Sequence, residues 1–183
     1  MASLIARFPA HGFLPVRHGD VILSEEIPEA ITALMPYRGQ SRALSAAMKA
    51  AHGVAFPGPN RSTQKLPAQA VWTGMDQAFL IGVPADATLS THAALVDQGD
   101  AWAVLTLDGA GVEDVLARLT PLDLRMSVFK HSHAARSLLG HMNAVFIRDG
   151  TRRFTIMVFR SMAKTACREL EEAMRGVAAR QAR

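Results

Sequence analysis

The clearest hydrophobic pattern lies between Leu95 and Leu124, where it predicts a strand, a glycine-rich turn and a short helix. From residue 101 to residue 107 almost every position is apolar, so both faces of this strand are expected to be buried. Asp108-Gly109-Ala110-Gly111 ends the strand. Apolar residues then recur at one helical face from Val112 to Leu119. Pro121 ends that helix, because its ring disfavours the α conformation at the preceding residue.

The N-terminal part carries weaker patterns. Residues 1–35 predict an irregular segment with one short strand, residues 20–23, which Glu25-Glu26 and Pro28 end. Ser41 is expected to cap a helix that ends at Gly53, a residue suited to the left-handed conformation of a helix C-terminus. Residues 54–67 are rich in Pro, Gly, Asn, Ser and Thr and predict a long Pro-rich loop.

Paired strands and short helices follow beyond the loop. The predicted elements are a hairpin of residues 71–72 and 79–81, a short helix 89–95, the central unit 95–124, one strand 137–148, an Asp149-Gly150 turn and a strand 154–160. Asp-Gly between two apolar runs favours a hairpin, because both turn positions tolerate positive φ.

A final helix is expected to begin at a Ser161 cap. Its predicted ion pairs, at the i, i+4 spacing, are Arg168–Glu172 and Glu171–Arg175. Its predicted apolar stripe is Met162, Ala166, Leu170, Met174 and Val177.

The predicted order is strand, helix, two strands, then strand, helix, two strands, helix. It favours an α+β fold in which antiparallel sheets carry packed helices, of a ferredoxin-like or duplicated kind. A doubly wound sheet is excluded, because too many successive strands are joined by hairpins. We expect residues 1–183 to form one domain.

Composition and charge narrow the functional classes. Of 183 residues, 49% are hydrophobic and 20% charged, as in a globular protein and unlike a disordered one. The formal charge of +4 raises the possibility of nucleic-acid binding, but Lys and Arg are dispersed and aromatics make up only 6%. No apolar run fits a membrane helix or a secretory leader. A single cysteine, Cys167, excludes an internal disulfide and favours the cytoplasm.

Two stretches invite an anion-binding hypothesis. Gly109-Ala110-Gly111 stands between a strand and a helix, where backbone N–H groups can cradle a phosphate. Asp114 stands where a dinucleotide fingerprint has its third glycine, so a tight turn is preferred. Arg61 and Lys65 in the Pro-rich loop could hold an anion, although solvated loop charges are the simpler interpretation.

Histidines and the cysteine give no stronger site. His131 and His133 on a strand would place both rings on one face, with His141 nearby in sequence, but no further ligand follows at a usable spacing. Cys167 on the apolar side of the last helix is predicted to be a small buried hydrophobe. No catalytic triad is assigned, since no nucleophile-elbow pattern occurs.

Several separated motifs, in one order, resemble the gamma subunit of heterotetrameric sarcosine oxidase. They cover roughly residues 72–174 and are VWTGMDQAFLIGV, LVDQGDAWAVLTLDGAGVEDVLARLTPLDL, AARSLLGHM and RFTIMVFRSMAKTACRELEEAM. The most specific pieces are residues 121–124, residues 135–142 and residues 159–161. Gly99 departs from the family, which often has serine there.

The resemblance implies the N-terminal folate-binding fold of the glycine-cleavage aminomethyltransferase. It implies a complex that oxidises sarcosine to glycine, with hydrogen peroxide and methylene-tetrahydrofolate (or formaldehyde) as further products. The implied partners are alpha, beta and delta subunits. FAD, FMN, NAD, zinc and tetrahydrofolate are implied on those partners and none on this chain.

In the wider family an acidic pair precedes the strand that corresponds to residues 144–148. By the resemblance those positions are Met142 and Asn143, and neither side chain can act as a carboxylate base. We therefore expect a subunit that serves assembly and stability, with no catalytic, cofactor-binding or metal-binding residue. Three alternatives stay open: a subunit of a related complex such as N-methylglutamate dehydrogenase, a stand-alone folate-binding protein, and a nucleic-acid-binding module.

Overall fold

The computed structural model describes residues 7–181, in which eleven strands and three α-helices form two sheets with helices packed outside them. In chain order the elements are β1 (Val16–His18), β2 (Val21–Glu26), β3 (Ile31–Pro36), α1 (Ser41–His52), β4 (Ser62–Lys65), β5 (Ala68–Gly74), β6 (Gln77–Ile81), β7 (Ala93–Asp97), β8 (Trp102–Asp108), α2 (Val112–Leu116), β9 (Ala134–Leu139), β10 (Met142–Arg148), β11 (Arg153–Phe159) and α3 (Ala163–Gln181).

Both sheets are antiparallel throughout their paired strands. The first sheet has the order β1-β2-β8-β11-β10-β9, and the second has the order β4-β5-β6-β3-β7. The predicted fold class, α+β with antiparallel sheets and packed helices, is confirmed. The predicted order of elements is wrong, because several strands lie in stretches predicted to be irregular, helical or part of one longer strand.

Alternation along β8 explains how the layers stack. Ala103, Leu105 and Leu107 pack against the side of the first sheet that carries α2 and α3. Trp102 and Val104 point the other way, into a central core between the two sheets. The prediction that both faces of this strand are buried is therefore confirmed. Each fully buried large side chain of this kind contributes about 1.5–3 kcal/mol to folding.

The helix α1 covers the outer face of the second sheet. Leu44 and Met48 are fully buried there, and Gly53 ends the helix in the left-handed conformation with φ 74°, as predicted. The predicted Ser41 cap is wrong. Gln40 occupies the cap position without a side-chain hydrogen bond, and Ser41 is the first helical residue.

The description of residues 1–35 as irregular with one short strand is wrong over the described part, and residues 1–6 lie outside the described residues. The strands β1 and β2 form a hairpin, and β3 lies between β6 and β7 in the second sheet. Ile31 and Ala33 of β3 enter the central core, whereas Leu34 packs on the α1 side. Burial on both faces removes the alternation of polar and apolar residues that marks a half-exposed strand.

The sequence predicts that the acidic pair Glu25-Glu26 ends β2. That prediction is wrong, because the strand includes both residues. Glu25 accepts a hydrogen bond from the backbone N–H of Ala10 at 2.9 Å, and Glu26 pairs with the guanidinium of Arg153. Both carboxylates therefore have a partner while the backbone of Glu25 and Glu26 remains extended in β2.

Two predicted irregular or helical stretches contain strands. Within the predicted loop 54–67, polar residues form the edge strand β4, which pairs with β5. The predicted helix 89–95 is a single 3-10 turn over Ala87–Thr91, followed by β7. Asp86 caps that turn, because its carboxylate accepts a hydrogen bond from the N–H of Thr88 at 2.8 Å.

The predicted strand 137–148 is a hairpin of β9 and β10, because Gly140 turns the chain with φ 56°. The Asp149-Gly150 hairpin to β11 is confirmed.

The final helix begins after a 3-10 turn, so the predicted Ser161 cap and the place of Met162 in the stripe are wrong. Met162 is 42% exposed, while the other four stripe residues are buried. The Glu171–Arg175 pair is confirmed. Arg168 lies over the ring of Phe13 at 5.6 Å and makes no ion pair with Glu172 within the described residues.

No helix in the part of the chain from 7 to 181 is both long and apolar enough to cross a membrane. The assignment of residues 1–183 to one domain stays a prediction.

Candidate functional site

The turn Gly109-Ala110-Gly111 is filled by the protein itself. The N–H of Gly109 donates to the carbonyl of Arg152 at 2.9 Å, so it does not point at a ligand. A Cβ on Gly109, whose φ is 137°, would lie 1.9 Å from the carbonyl oxygen of Asp20. A Cβ on Gly111 would meet side chains of β2 and α3 at 3.3–3.4 Å. Glycine is needed here for close packing of the backbone, which supports the tight-turn interpretation.

A buried arginine, which no sequence pattern marks, contacts the segments at the exit of the central unit. Arg148 at the end of β10 is fully buried, with its guanidinium 4.3 Å from the centroid of the Phe154 ring. Its Nη2 donates to Glu113 Oε1 at 2.6 Å and to the carbonyl of Leu124, and its Nη1 donates to the carbonyl of Thr151 at 2.9 Å. One side chain therefore joins α2, the segment after Pro121 and the β10–β11 turn.

The three histidines are not brought together. His131 and His133 precede β9 in a turn where Ser132 has a φ of 63°, so the prediction that they share a strand face is wrong. His141 lies at the opposite end of β9, roughly 20 Å along the strand. Burial lowers the pKa of His133, and the nearby cations of Arg61 and Lys130 lower it further. Within residues 7–181, no three His, Cys, Asp or Glu side chains are grouped so that they could hold a metal ion.

The remaining candidates have structural surroundings. Cys167 is buried, as predicted, and burial raises the pKa of its thiol to about 11, with smaller contributions from Glu25 and Glu171. Arg61 donates to the carbonyl of its neighbour Asn60 at 2.9 Å. Lys65 lies against Gly53 at the end of α1. A protonated buried thiol is a poor nucleophile. The two loop cations, Arg61 and Lys65, lie at opposite ends of β4.

Met142 and Asn143 begin β10 and pair with Leu139 and Leu138 across the hairpin. Met142 is buried in the core under α3, whereas Asn143 is exposed. Neither position offers a group that could take a proton from a substrate near neutral pH.

A concave surface opens at the end of the central core. A cavity of about 180 Å³ has Trp102, Val104 and Ile31 among its apolar lining residues. Two neighbouring depressions, of about 360 Å³ and about 540 Å³, share lining residues with this cavity and are more open to solvent. We call this continuous surface the Trp102 groove, and its principal residues are Phe8, Glu25, Ile27, Asp100, Trp102 and Arg160.

The groove joins residues that are remote in sequence. Phe8 and Ile27 are both more than half exposed on its rim, and Arg160, which also lines it, donates to the carbonyl of Arg7 at 2.7 Å. Asp100 lies 3.6 Å from the guanidinium of Arg160. No local sequence pattern marks such a groove, because the exposure of Phe8 and Ile27 and their proximity are properties of the folded chain.

Comparison with known proteins gives one strong structural similarity. A chain of the heterotetrameric sarcosine oxidase from Corynebacterium sp. U-96, solved in complex with pyrrole 2-carboxylate, superimposes with a TM-score of 0.80 at 22% sequence identity. The alignment covers 94% of this chain and 96% of that chain. The regulatory subunit of aspartate kinase from Thermus thermophilus, in its ligand-free form, reaches a TM-score of only 0.41 at 14% identity, over 82% of this chain and 96% of that chain. That second similarity supports no conclusion.

No protein-family model and no curated protein matches the sequence. The resemblance inferred from the sequence motifs is confirmed at the level of the fold, along almost the whole length of both chains.

Proposed function

We propose that this chain is a non-catalytic, gamma-type subunit of a heterotetrameric sarcosine oxidase. The proposed complex demethylates sarcosine oxidatively to glycine, and this chain serves its assembly and stability. The observation that carries the proposal is the full-length structural similarity to a chain of such an enzyme, at a TM-score of 0.80. The independent order of sequence motifs points to the same complex.

The surroundings of the candidate residues support an assembly role. Met142 and Asn143 provide no carboxylate, the Gly109 N–H is used by Arg152, and burial raises the pKa of the Cys167 thiol. This chain therefore offers poor acid–base and phosphate-binding groups at the places where the sequence indicated them. We assign the flavins, NAD, zinc and tetrahydrofolate to partner alpha, beta and delta subunits, and the complex to the cytoplasm.

Co-purification from the native host tests the assembly proposal. An affinity tag on this chain should recover flavin-containing subunits, and the recovered material should produce hydrogen peroxide when sarcosine is added. N-methylglutamate, assayed in parallel, distinguishes the related dehydrogenase. Recovery of the chain alone from cells that express those subunits would refute the proposal.

Two further measurements test the non-catalytic role. Asn143→Ala in the assembled complex should leave kcat unchanged, because Asn143 is exposed and holds no proton that the reaction needs. Calorimetry of the isolated chain with tetrahydrofolate should show no binding. A measurable affinity would favour the stand-alone folate-binding alternative.

A further inference from the structure

Aromatic packing and a hydrogen bond fix the position of Trp102 at the floor of the Trp102 groove. The Trp102 ring packs edge-on against Phe79, with centroids 5.3 Å apart, and lies 4.6 Å from the Phe159 ring. Its indole N–H donates to the side chain of Gln98 at 3.3 Å. Aromatic rings held in this way form the pre-organised apolar pockets that receive anchor side chains at protein interfaces.

The rim of the groove exposes apolar side chains to water. Ile27 is 58% exposed and Phe8 is 53% exposed, although both border a cavity with an apolar floor. Adjoining exposed apolar surface of this kind marks interaction sites on soluble proteins. The open shape favours a polypeptide over a small molecule, because small ligands are usually enclosed over most of their surface.

The groove is acidic on a chain whose formal charge is +4. Arg160 is the one Lys or Arg side chain among the described residues that line the groove and its two depressions. The carboxylates that line them are Glu25, Glu26, Glu29, Asp97 and Asp100. Arg160 offsets Asp100, and Arg153 offsets Glu26 from outside the groove, so a surplus of negative charge remains.

We propose that the Trp102 groove docks a segment of a partner subunit that carries a large apolar side chain flanked by Lys or Arg. The apolar side chain fills the cavity over Trp102, and the basic residues face the carboxylates of the rim. Opposite charges across an interface speed association and select the partner. This inference rests on the proposed function, because it assigns one contact surface within that complex.

Charge variants test the groove in the intact complex. The groove variant Glu25→Gln/Glu29→Gln/Asp100→Asn removes three negative charges, and glutamine at position 25 retains an oxygen that can accept from Ala10. The control variant Asp76→Asn/Asp114→Asn/Glu172→Gln removes three charges from exposed positions outside the groove. With tagged chains in the native host, the groove variant should retain flavoprotein subunits about tenfold less well than the control, as expected for three surface charge pairs.

The outcomes separate the two proposals. Equal retention by the groove and control variants, with normal recovery by the unaltered chain, would overturn the docking inference and leave the proposed function intact. Failure of the unaltered chain to recover any flavoprotein would overturn the proposed function, and the peptide measurement would then decide the groove alone.

The peptide measurement uses fluorescein-labelled probes and the purified full chain. A probe of alternating lysine and leucine should bind about tenfold more tightly than probes of lysine with serine or glutamate with leucine. Ile27→Ser should weaken binding of the first probe, whereas the matched change Met75→Ser, at a residue 90% exposed in a distant turn, should not. Affinity should fall as salt is raised, because dissolved ions screen the attraction between exposed charges, with a Debye length of about 10 Å at 0.1 M. Equal binding of all three probes would refute the inference.

Two other occupants give distinct results. Probe binding only after residues 2–6 are deleted would assign the groove to the N-terminal segment of this chain. Self-association that is abolished by Ile27→Ser, measured by sedimentation, would assign it to a second copy. Either result would overturn the docking of a partner segment.

Discussion

Arg148 and Glu113 are predicted to stabilise the chain as one coupled unit. In Arg148→Met, the carbonyls of Leu124 and Thr151 lose charge-assisted hydrogen bonds, each with a net contribution of about 1.5 kcal/mol. The Glu113 carboxylate loses its partner too, but its side chain is 38% exposed and regains water. The expected loss in the free energy of unfolding is therefore about 3 kcal/mol, a large share of the 5–15 kcal/mol typical of a domain.

Replacing the other partner, Glu113, tests the difference in burial between the two side chains. Glu113→Ala leaves a fully buried guanidinium without its anion, a change that costs about 3–5 kcal/mol even though Glu113 itself lies near the surface. The double variant Arg148→Met/Glu113→Ala should lose little more than Arg148→Met alone, since no unpaired buried charge remains. The free energies come from urea unfolding followed by tryptophan fluorescence.

An exposed pair provides the control for this cycle. Arg125 pairs with Asp123 at the surface, so Arg125→Met should leave the urea midpoint almost unchanged. Additive losses from the two single variants of the Arg148–Glu113 pair would show that the groups do not act together and would refute this account.

Two further changes test the backbone and a buried carboxyl. Gly109→Ala should lower the free energy of unfolding by about 2 kcal/mol more than Gly12→Ala, because only the first Cβ meets backbone while both positions have positive φ; equal losses in urea unfolding would contradict this. Burial raises the pKa of Asp149, so the folded state binds the carboxyl proton of Asp149 more tightly than the unfolded state does. The stability that this proton contributes is lost as pH rises through the raised pKa. In the unaltered chain Gln69 Nε2 donates to Asp149 Oδ1 at 2.8 Å, and Asp149→Asn keeps an oxygen that can accept this bond. The variant should be at least as stable as the unaltered chain at pH near 7. Its relative stability should decline towards about pH 3, where the unaltered carboxyl is protonated in both states; a difference independent of pH would refute the assignment.

Strong local patterns made part of the fold predictable. The strand β8, the helix α1 and the hairpin β5–β6 have sufficient length, period or turn chemistry to be recognised alone. The strand β3 does not, because apolar residues are buried on both of its faces, Pro28 precedes it and Pro36 is its last residue, so its sequence looks like that of a loop. Its role in the second sheet becomes visible only through its pairing with β6 and β7.

The polar features depend on contacts that no local pattern reports. Arg148 resembles any charged residue at the end of a strand, and its acceptor Glu113 lies 35 positions earlier. The Trp102 groove likewise needs the N-terminal segment, the end of β2, the start of β8 and Arg160 in one place. By contrast, the tight-turn interpretation of Gly109-Ala110-Gly111 followed from the missing third glycine and is supported by the packing around both glycines.

The second sheet has a consequence for the order of folding. All of its strands come from one continuous stretch, residues 31–97, whose two ends meet where Thr32 pairs with Asp97. The strands β2 and β8 of the first sheet lie on either side of this stretch and pair with each other. Closing a flexible loop of about 75 residues costs about 4 kcal/mol in chain entropy. If the second sheet forms first, its joined ends bring β2 and β8 close together. Formation of the second sheet therefore lowers the entropy cost of pairing these two strands in the first sheet.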